Sequence, residues 1–559
     1  MRYVIIGGVA GGASTAARLR RMDESAEIIL LEKGPHISYA NCGLPYYIGD
    51  VIPNREDLFV QTPASFGTRF NVDVRVLNEA ISIDPLKKNI EISDLKLDTK
   101  YELSYDKLVL SPGAVPIRPP LPGIDLPGIF TLRTVTDTDK IKAYVTNQKI
   151  RTAIIVGAGF IGLEMAENLH HLGVEITIVE LGKQILAPVD FPIAAIGQQY
   201  LKTKGLTLQL GVSAQSFEQT ETGIRVKLSD DSHLEADMVL LSIGVRPDTK
   251  LAAAAGLKLG PAKGIWVNEF LQTSDNNIYA VGDAIEFTNP ITGNSMSTYL
   301  AGPANKQGRI CADNIVRGNK TRYKGSVNTA IVKLFDLTIA TTGTAVKHLK
   351  ASDIPYEVVY TKSGSHASYY PDAKQMTIQL AFSPADGRIL GAQIAGNDGV
   401  DKRIDLLSLL LQKKGTIYDL AELEHAYAPP YSSAKDPVNM AGFVAENLLS
   451  DKVRFMQWDE VEDRDPNMFL LDVRNRNEFE QASIPGAANI PIDELRENLS
   501  QLPSDRPILI YCEIGLRGYL AHRILRQRGY EEVFNLAGGF ALYRVCREAA
   551  SFDLLATSC

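Results

Sequence analysis

Cysteine, excess basic charge and long apolar runs are all scarce in this sequence. Its five cysteines in 559 residues are too few for the disulfide framework of a small secreted protein. No two of them have the C-x-x-C spacing of a structural zinc site, so we expect no metal. The net charge of −8 disfavours nucleic acid as a partner.

No apolar run approaches the ~18 residues of a membrane span. The first apolar stretch, residues 3–6, is too short for the core of a signal peptide. A reducing cytoplasm, without membrane partners, is therefore the expected setting.

Length and composition indicate a globular chain of about three to four domains. Apolar residues make up 45% and charged residues 22% of the sequence, which is typical of folded proteins. Beyond the two units described next, alternating or buried apolar patterns predict a helix at 404–412 and strands at 73–76, 90–92, 108–110, 224–228, 238–241, 329–335, 356–360, 376–382, 469–471, 488–490 and 508–511.

Two stretches have the order strand, glycine-rich turn, helix, strand, and together they suggest a large-scale duplication. The first consists of residues 3–6, 7–12, 13–22 and 28–31, and ends in Glu32. The second consists of residues 152–156, 157–162, a helix to about 172 and a strand at 176–179, and ends in Glu180.

The second glycine turn fits the dinucleotide-binding pattern G-x-G-x-x-G fully. Gly157, Gly159 and Gly162 allow a tight turn and close approach of a pyrophosphate to the backbone, and the helix N-terminus supplies N–H donors. Glu180, 23 positions beyond Gly157, is placed to accept hydrogen bonds from ribose hydroxyls. Its charge favours NADH over NADPH, although the nearby Lys183 can offset that preference.

The first glycine turn departs from the pattern, because Val9 occupies the position of the middle glycine. Gly7, Gly8, Gly11 and Gly12 still permit close backbone approach, and Glu32 follows 25 positions after Gly7.

A third segment, residues 278–283, reads as a strand that ends in Gly-Asp. Together with residues 111–114 and 243–247, it resembles the flavoprotein disulfide reductases that bind two dinucleotides, over about residues 1–450. The resemblance implies FAD at the first site and NAD(P)H at the second. It assigns to FAD Gly7, Gly8, Val9, Ala10, Gly11, Gly12, Glu32, Lys33, Asn41, Ser111, Pro112, Gly113, Asp283 and Ala301, and to NAD(P)H Gly157, Gly159, Phe160, Ile161, Gly162, Glu180 and Gly244.

Cys42 lies in the sequence S-x-x-N-C-G-L-P, which resembles the single-cysteine branch of that family: coenzyme A-disulfide reductases, NADH oxidases and NADH peroxidases. The second redox cysteine of the two-cysteine branch is replaced by Tyr47. One thiol must therefore cycle between thiolate and either a mixed disulfide (persulfide) or a sulfenic acid.

Residues 366–371 and 427–436 resemble the coenzyme A-disulfide reductase branch. The resemblance implies a homodimer in which two tyrosines of the partner subunit reach the cysteine, a role assigned to Tyr369 and Tyr427, with Tyr431 as a further candidate. A phenol donates a hydrogen bond to a leaving thiolate. Ala10 stands where oxidases and peroxidases usually have a histidine, which weakens the peroxide-reducing alternative.

Coenzyme A requires cations for its phosphates, and Arg18 and Arg21 share one face of the first helix. A solvated helix face is nearly as good an interpretation of these arginines. By resemblance, Ser14, Ser38 and Gln61, together with Asn41, line the path of the pantetheine arm.

Cys512 opens the loop 512–517, between a buried strand and a helix from about 518. Successive N–H groups in such a loop stabilise a thiolate or persulfide. The loop, with Arg517, resembles the active-site loop of rhodanese domains, and residues 471–474, 484–491 and 536–540 resemble other signatures of that family. Ala482-Ser483 replaces the common Gly-His, away from the loop.

The expected fold is α/β, with two Rossmann-like dinucleotide-binding domains, an α+β dimerisation domain and a C-terminal α/β rhodanese domain. The expected boundaries are 1–115 with 248–322 for FAD, 116–247 for NAD(P)H, 323–450 for dimerisation and 453–559 for the rhodanese-like domain.

The expected function is NAD(P)H-dependent reduction of coenzyme A persulfide, polysulfide or coenzyme A disulfide through Cys42, with Cys512 carrying sulfur. The alternatives are an NADH oxidase or peroxidase with Cys42 as a sulfenic acid, and a non-enzymatic flavin redox sensor.

Overall fold

The computed structural model describes the backbone of residues 1–555 and the side chains of residues 1–550. The chain forms two compact units, one of Met1–Leu181 with Thr207–Asn328, the other of Gly182–Leu206 with the residues from Thr329 onward. The helices are α1 (Ala10–Met22), α2 (Leu44–Ile48), α3 (Pro63–Phe70), α4 (Val135–Gln148), α5 (Phe160–His171), α6 (Phe191–Thr203), α7 (Lys250–Ala254), α8 (Ala301–Arg317), α9 (Val346–Ala351), α10 (Val400–Gln412), α11 (Ile417–Glu422), α12 (Pro437–Leu449), α13 (Arg476–Gln481), α14 (Leu516–Gln527) and α15 (Gly539–Leu555).

The first unit is built on two five-stranded parallel sheets with helical crossovers. In spatial order, one contains Ile278–Ala280, Lys107–Leu110, Arg2–Ile6, Glu27–Glu32 and Asp73–Val76. The other contains Thr207–Leu210, Glu175–Glu180, Thr152–Val156, Met238–Leu241 and Ile129–Phe130. Their central strands are apolar and buried, as strands covered on both faces must be. This arrangement confirms the two predicted βαβ units.

Smaller sheets flank these two. Antiparallel three-stranded sheets contain Asn78–Asp84, Asn89–Asp94 and Thr99–Ser104, and Ala214–Gln219, Ile224–Leu228 and His233–Ala236. A two-stranded sheet pairs Ala114–Pro116 with Val245–Pro247, and a mixed sheet contains Ile265–Trp266, Ile285–Thr288 and Ser295–Met296.

The second unit holds an antiparallel sheet and a further parallel sheet. The antiparallel sheet has the order Ala330–Leu334, Leu337–Gly343, Ile389–Gly396, Gln375–Phe382 and Glu357–Gly364. The parallel sheet has the order Phe455–Met456, Val533–Leu536, Ile508–Tyr511, Phe469–Asp472 and Ala488–Asn489. These sheets and their helices confirm the predicted fold class.

Two helix starts differ from the sequence-based expectation. Helix α1 begins at Ala10 rather than at residue 13, because the Ala13 N–H already bonds to the Val9 carbonyl and draws the glycine-rich residues into the first turn. Helix α14 begins at Leu516 rather than near residue 518, directly after Gly515 with φ +101°. Among residues 1–555, no helix is long and apolar enough to cross a membrane.

In the second unit, the C-terminal helix packs on α6. Leu542 and Cys546 of α15 form a buried apolar cluster with Ala195 of α6. The rings of Phe191 and Trp458 stack beside it, with 5.2 Å between centroids. Helix α15 is thus packed on a helix that follows the second βαβ unit in sequence.

The buried carboxylate of Asp190, at the N-terminus of α6, joins this helix to the antiparallel sheet. It accepts hydrogen bonds from the backbone N–H groups of Val346 (2.9 Å) and Lys347 (3.1 Å) and from the side-chain amides of Gln379 (2.5 Å) and Gln393 (2.7 Å). Four donors converge on one side chain with little access to water.

Substitution Asp190→Ala is expected to lower the free energy of unfolding of the second unit by about 2–4 kcal/mol, because it leaves buried donors without an acceptor. Calorimetry should show the earlier transition, and hydrogen exchange should show faster exchange of the Val346 and Lys347 amides. Asp190→Asn, which keeps one acceptor oxygen, should lower the free energy of unfolding by a smaller amount. An Asp190→Ala protein that melts like the wild type would contradict this assignment.

Candidate functional site: two nucleotide turns and two sulfur-bearing loops

The first glycine turn is so tight that no side chain fits in it. Gly7 has φ +98°, and an ideal Cβ there would lie 2.0 Å from the Ser111 carbonyl oxygen. A Cβ at Gly12 would lie 1.8 Å from the Gly7 carbonyl oxygen, which brings the first turn of α1 against the strand end. The N–H groups of that helical turn lack intrahelical partners and are suited to a pyrophosphate.

Acidic residues surround this turn in the first unit. Glu32 accepts hydrogen bonds from the N–H groups of Gly8 and Gly34, each at 2.8 Å, and burial raises its pKa. Asp283 follows the strand Ile278–Ala280 and pairs with Arg133 at 3.0 Å, while burial raises its pKa. The predicted FAD fits this site, because the backbone turn is tight, the N-terminus of α1 faces it and the Asp283 carboxylate follows the strand end.

Ser111, another residue predicted for FAD, lies against the same turn. A Cβ at Gly11 would lie 2.8 Å from Ser111 Oγ. Lys33 forms a 3.9 Å ion pair with Asp248. Ala301 is exposed at the start of α8. Arg133, which pairs with Asp283, was missed by sequence reasoning, since no motif marks it.

The second glycine turn repeats the first. Gly157 has φ +108°, and an ideal Cβ there would lie 2.3 Å from the Ser242 carbonyl oxygen, while a Cβ at Gly162 would lie 2.1 Å from the Gly157 carbonyl oxygen. At Gly159 no atom lies within 4 Å of that position, so the backbone there is open to a ligand. Glu180, at the end of the next strand, accepts a 2.7 Å hydrogen bond from the Ala158 N–H. These features fit a nicotinamide dinucleotide, with Phe160 and Ile161 opening α5 and Gly244 (φ +110°) in a neighbouring loop.

Cys42 lies in a short turn, Asn41–Gly43, just before α2, and is exposed. Loss of hydration and the carboxylates of Glu164 and Asp283 raise the pKa of its thiol, while Arg133 lowers it. The buried Asn41 Oδ1 has no hydrogen-bond partner among the described residues. A polar atom left in this way next to the thiol is available to a bound group.

Helix α5 brings a second acid, Glu164, to this cysteine. Burial, assisted by the charge of Glu167, raises the pKa of Glu164 to about 7, although a hydrogen bond with Tyr46 opposes the shift. Helix α2 can approach α5 because residue 49 is glycine: a Cβ there would lie 2.4 Å from Asn168 Oδ1. Sequence reasoning missed Glu164, because no motif connects α5 with Cys42.

The candidate coenzyme A residues of α1 lie along one stripe of the helix. Ser14 donates a short hydrogen bond to Asn305 of α8, and Arg18 forms a 2.7 Å ion pair with Asp313. Arg21 is exposed. Arg18 therefore already has an acidic partner, whereas Arg21 faces solvent, and the assignment of both to coenzyme A stays a prediction.

Ser38 and Gln61 lie together, since the Gln61 N–H donates to the Ser38 carbonyl at 3.3 Å. Ser38 has φ +47°, which turns the chain ahead of Cys42. Gln61 accepts a 3.0 Å hydrogen bond from Ser65.

In the second unit, the hydroxyl oxygens of Tyr369 and Tyr427 lie 2.6 Å apart. The hydrogen bond with Tyr427 raises the pKa of Tyr369. Both side chains are exposed, at 73% and 47%, and so is Tyr431 at 71%. The structure thus joins two of the three predicted tyrosines and leaves Tyr431 separate from their hydrogen bond.

Cys512 is fully buried at the end of the strand Ile508–Tyr511. Its Sγ accepts a hydrogen bond from the Gly515 N–H at 3.2 Å. Asn535, which sequence reasoning missed, holds the loop by donating to the Gly515 carbonyl at 3.1 Å. The Gly515 N–H is thus a donor to the sulfur, and the stabilisation of a persulfide by successive N–H groups of the loop stays a prediction.

The arginines near this loop are paired with acids. Arg517 makes two 2.7 Å hydrogen bonds to Glu478 of α13, and these lower the pKa of Glu478 to about 2. Arg474 binds Asp472 at 2.8 Å and Glu513 of the loop at 3.1 Å. Arg517 is therefore positioned by Glu478, and its predicted role beside Cys512 stays a prediction.

Among residues 1–550, no cluster of three or more His, Cys, Asp or Glu side chains is arranged to hold a metal ion.

Comparisons with known proteins define the class. Residues 1–308 match the family described as pyridine nucleotide-disulphide oxidoreductase, residues 329–437 match its dimerisation domain, and residues 457–545 match the rhodanese-like domain. The chain belongs to the pyridine nucleotide-disulphide oxidoreductase family and carries a rhodanese-like domain. It is an oxidoreductase that uses FAD and NAD(P)H, which the two glycine turns fit.

Two solved structures resemble nearly the whole chain. The reduced CoADR-RHD of Bacillus anthracis is 47% identical with a TM-score of 0.95, over 98% of both chains. The NAD-dependent persulfide reductase from A. fulgidus is 36% identical with a TM-score of 0.91, over 97% of this chain and 100% of the other.

Two curated relatives match about four fifths of the chain. The coenzyme A disulfide reductase of Staphylococcus haemolyticus is 34% identical over 447 residues, 80% of this chain and 100% of the relative. The NADH oxidase of Methanocaldococcus jannaschii is 35% identical over 453 residues, 81% of this chain and 100% of the relative.

Substitution Glu164→Gln is expected to lower the pKa of Cys42, because it removes a negative charge that disfavours the thiolate. In the wild type this charge is present above about pH 7 and is lost as Glu164 protonates below it. The rate of Cys42 alkylation by iodoacetamide can be measured against pH by peptide mass spectrometry. The midpoint of this pH profile should lie at a lower pH in the variant than in the wild type. The exposed Glu175→Gln is the control, and an unshifted Glu164→Gln profile would refute the electrostatic link.

Substitution Gly515→Ala is expected to reduce sulfur transfer at Cys512 by about tenfold to a hundredfold, because φ +101° strains any side chain and displaces the N–H donor. Sulfur transfer from thiosulfate to cyanide measures the effect. Gly529→Ala is a matched control: it has φ +89°, has no atom within 4 Å of its added Cβ and follows α14 in the same segment. Equal activity of the two variants would argue against a role for the Gly515 N–H.

Proposed function

We propose that this chain is an NAD(P)H-dependent reductase of coenzyme A persulfide, polysulfide and coenzyme A disulfide. The observation that carries the proposal is the exposed thiol of Cys42, which is free, in a chain that also holds Cys512 in a loop with an N–H donor at its sulfur. The remaining described cysteines, Cys311 and Cys546, are buried. The second sulfur of the reducible bond must therefore arrive on a carrier.

Bound NAD(P)H and FAD supply the two electrons of each turnover. The Cys42 thiolate attacks the S–S bond of the carrier and forms a mixed disulfide, with release of sulfide or a thiol. Two electrons then break that bond and restore the Cys42 thiolate, while the carrier takes up a proton and leaves as a thiol. The Tyr369–Tyr427 pair donates a hydrogen bond to the departing thiolate, with Tyr431 as a further candidate.

We assign Cys512 the task of collecting sulfane sulfur as a persulfide and passing it to coenzyme A. Its burial protects a persulfide from solvent, and the Gly515 N–H stabilises the negative sulfur. In this proposal Arg517 binds the sulfur donor that approaches Cys512.

Coenzyme A is proposed to lie across α1 toward Cys42. A polar stripe on that helix consists of Ser14, Arg18 and Arg21. Ser38 precedes the cysteine turn, and Gln61, which is hydrogen-bonded to Ser38, follows it. The names of the Staphylococcus and Bacillus relatives support this substrate. The FAD and NAD(P)H residues named from the sequence, including Glu32, Asp283 and Glu180, are proposed as the contacts of those cofactors.

We propose a cytoplasmic homodimer. The exposed apolar side chains Ile331, Leu409 and Tyr418, in the segment matching the dimerisation domain, are candidates for burial against a second copy. The domain boundaries given from the sequence, 1–115 with 248–322, 116–247, 323–450 and 453–559, are part of this proposal.

An NADH oxidase that cycles Cys42 through a sulfenic acid is the second candidate. The Methanocaldococcus relative named NADH oxidase favours it, whereas Ala10 in place of a histidine disfavours it. A flavin-bearing redox sensor is the third, and it predicts flavin reduction without multiple turnovers.

Under anaerobic conditions, the protein with NADH and polysulfide or coenzyme A persulfide should release sulfide in a 1:1 ratio to NADH, and Cys42→Ser should abolish this. Cys512→Ser should lose sulfur transfer from thiosulfate yet still reduce coenzyme A disulfide. Cys311→Ala, a buried cysteine of α8, serves as the control. NADH consumption that requires oxygen and ignores sulfane sulfur would establish the oxidase instead, and a single turnover would establish the sensor.

A further inference from the structure

The hydrogen-bonded tyrosines project from two loops of the second unit. Tyr369 lies between the strands Glu357–Gly364 and Gln375–Phe382, and Tyr427 lies between α11 and α12. Neither residue belongs to a helix or strand. The 2.6 Å distance between the two hydroxyl oxygens therefore requires something that holds the loops together.

A buried guanidinium contacts both loops. Arg403 of α10 is 1% exposed and donates from Nη2 to the Ser365 carbonyl at 2.8 Å, at the start of the Tyr369 loop. The same nitrogen donates to Asp436 Oδ2 at 2.7 Å, and Nε donates to Asp436 Oδ1 at 3.3 Å. Asp436, which is fully buried, ends the Tyr427 loop.

Asp436 carries this contact into its own loop. Its carboxylate accepts from Ser432 Oγ at 2.5 Å and from the Val438 N–H at 3.1 Å, where it caps α12. Although burial opposes ionisation, the hydrogen bonds from Arg403 and Ser432 lower the pKa of Asp436. The Ser432 carbonyl in turn accepts from the Ala367 N–H at 3.1 Å, which closes a link between the two loops.

The chain leaves room for the guanidinium at one particular glycine. An ideal Cβ at Gly399, which has φ +67°, would lie 2.1 Å from Arg403 Nη1. The Gly399 carbonyl accepts a 3.1 Å hydrogen bond from that nitrogen. A buried arginine with all these partners is costly to desolvate and is weak evidence for stability alone, so a role in specifying geometry is the better explanation.

We propose that Arg403 is a positioning residue for sulfur reduction: through Ser365 and Asp436 it holds Tyr369 and Tyr427 at the separation that makes them one proton-donating pair. This inference rests on the proposed function, in which that pair serves the departing thiolate. Arg403 itself touches no reacting atom. Its removal should slow the step that needs the proton donor and leave electron entry from NADH intact.

Three variants test this role. Arg403→Lys keeps the charge but loses the planar fork that reaches both loops, Gly399→Ala displaces the guanidinium without removing it, and the double change Arg403→Met with Asp436→Leu removes both charges together. The exposed Arg388→Met in the same antiparallel sheet region is the control. Rapid mixing separates flavin reduction by NADH from reoxidation by coenzyme A persulfide.

Flavin reduction should stay within about twofold of the wild type, and reoxidation should fall by about tenfold in Arg403→Lys and about a hundredfold in the double variant. In the variants, the rate of reoxidation should no longer change with pH as the tyrosine pair loses its proton. Reoxidation unchanged in a folded double variant would overturn the proposal, as would equal losses in both half-reactions.

A second measurement needs no substrate. With fluorotyrosine incorporated, the fluorine NMR signals of Tyr369 and Tyr427, assigned by Phe substitutions, should lose their shared hydrogen-bond shift in all three variants and keep it in Arg388→Met. Retained shifts would refute the positioning role even if the enzyme reduced another acceptor. Lost shifts in the variants, together with a wild-type protein that reduces no sulfur compound, would support the positioning role and reject the proposed function.

Discussion

The contact between a helix N-terminus and the strand that precedes it is the constraint on which both nucleotide sites depend. A Cβ at Gly12 or at Gly162 would overlap the carbonyl oxygen of Gly7 or Gly157, at 1.8 and 2.1 Å. Only because these positions are glycine can the first turns of α1 and α5 reach the strand ends and present free N–H groups there. The residue before Asp283 lies beside the first of these turns, since a Cβ at Gly11 would be 3.6 Å from the Gly282 nitrogen.

The two sulfur-bearing loops differ in their electrostatics, and this difference suits different tasks. Cys42 is exposed, and loss of hydration together with the acids Glu164 and Asp283 raises the pKa of its thiol. Cys512 is buried with an N–H donor at its sulfur, and the nearby Arg517 is neutralised by Glu478. An exposed thiol is suited to exchange with a carrier, whereas an enclosed sulfur is suited to storage.

Buried charges organise the second unit where regular structure does not. Asp190 joins α6 to the antiparallel sheet, and Arg403 with Asp436 joins the two tyrosine loops. Such groups are expensive to bury, and each is retained with nearly all of its hydrogen bonds made. Their partners are backbone groups and side chains distant in sequence, so they define where loops lie rather than whether strands form.

Local sequence determined the strands, the glycine turns, Cys42 and the Cys512 loop, because their periodicity and turn chemistry lie within a few dozen consecutive residues. Glycine positions 7, 12, 157 and 162 were predictable because a Cβ at any of them would overlap a backbone carbonyl oxygen, and positions 7 and 157 also have positive φ. Only the tertiary structure placed Glu164 beside Cys42, paired Arg18 with Asp313, and joined Arg403 to Asp436. These contacts join residues from separate elements. Because the partners are far apart in sequence and meet only when the elements pack, they leave no periodic pattern along the chain.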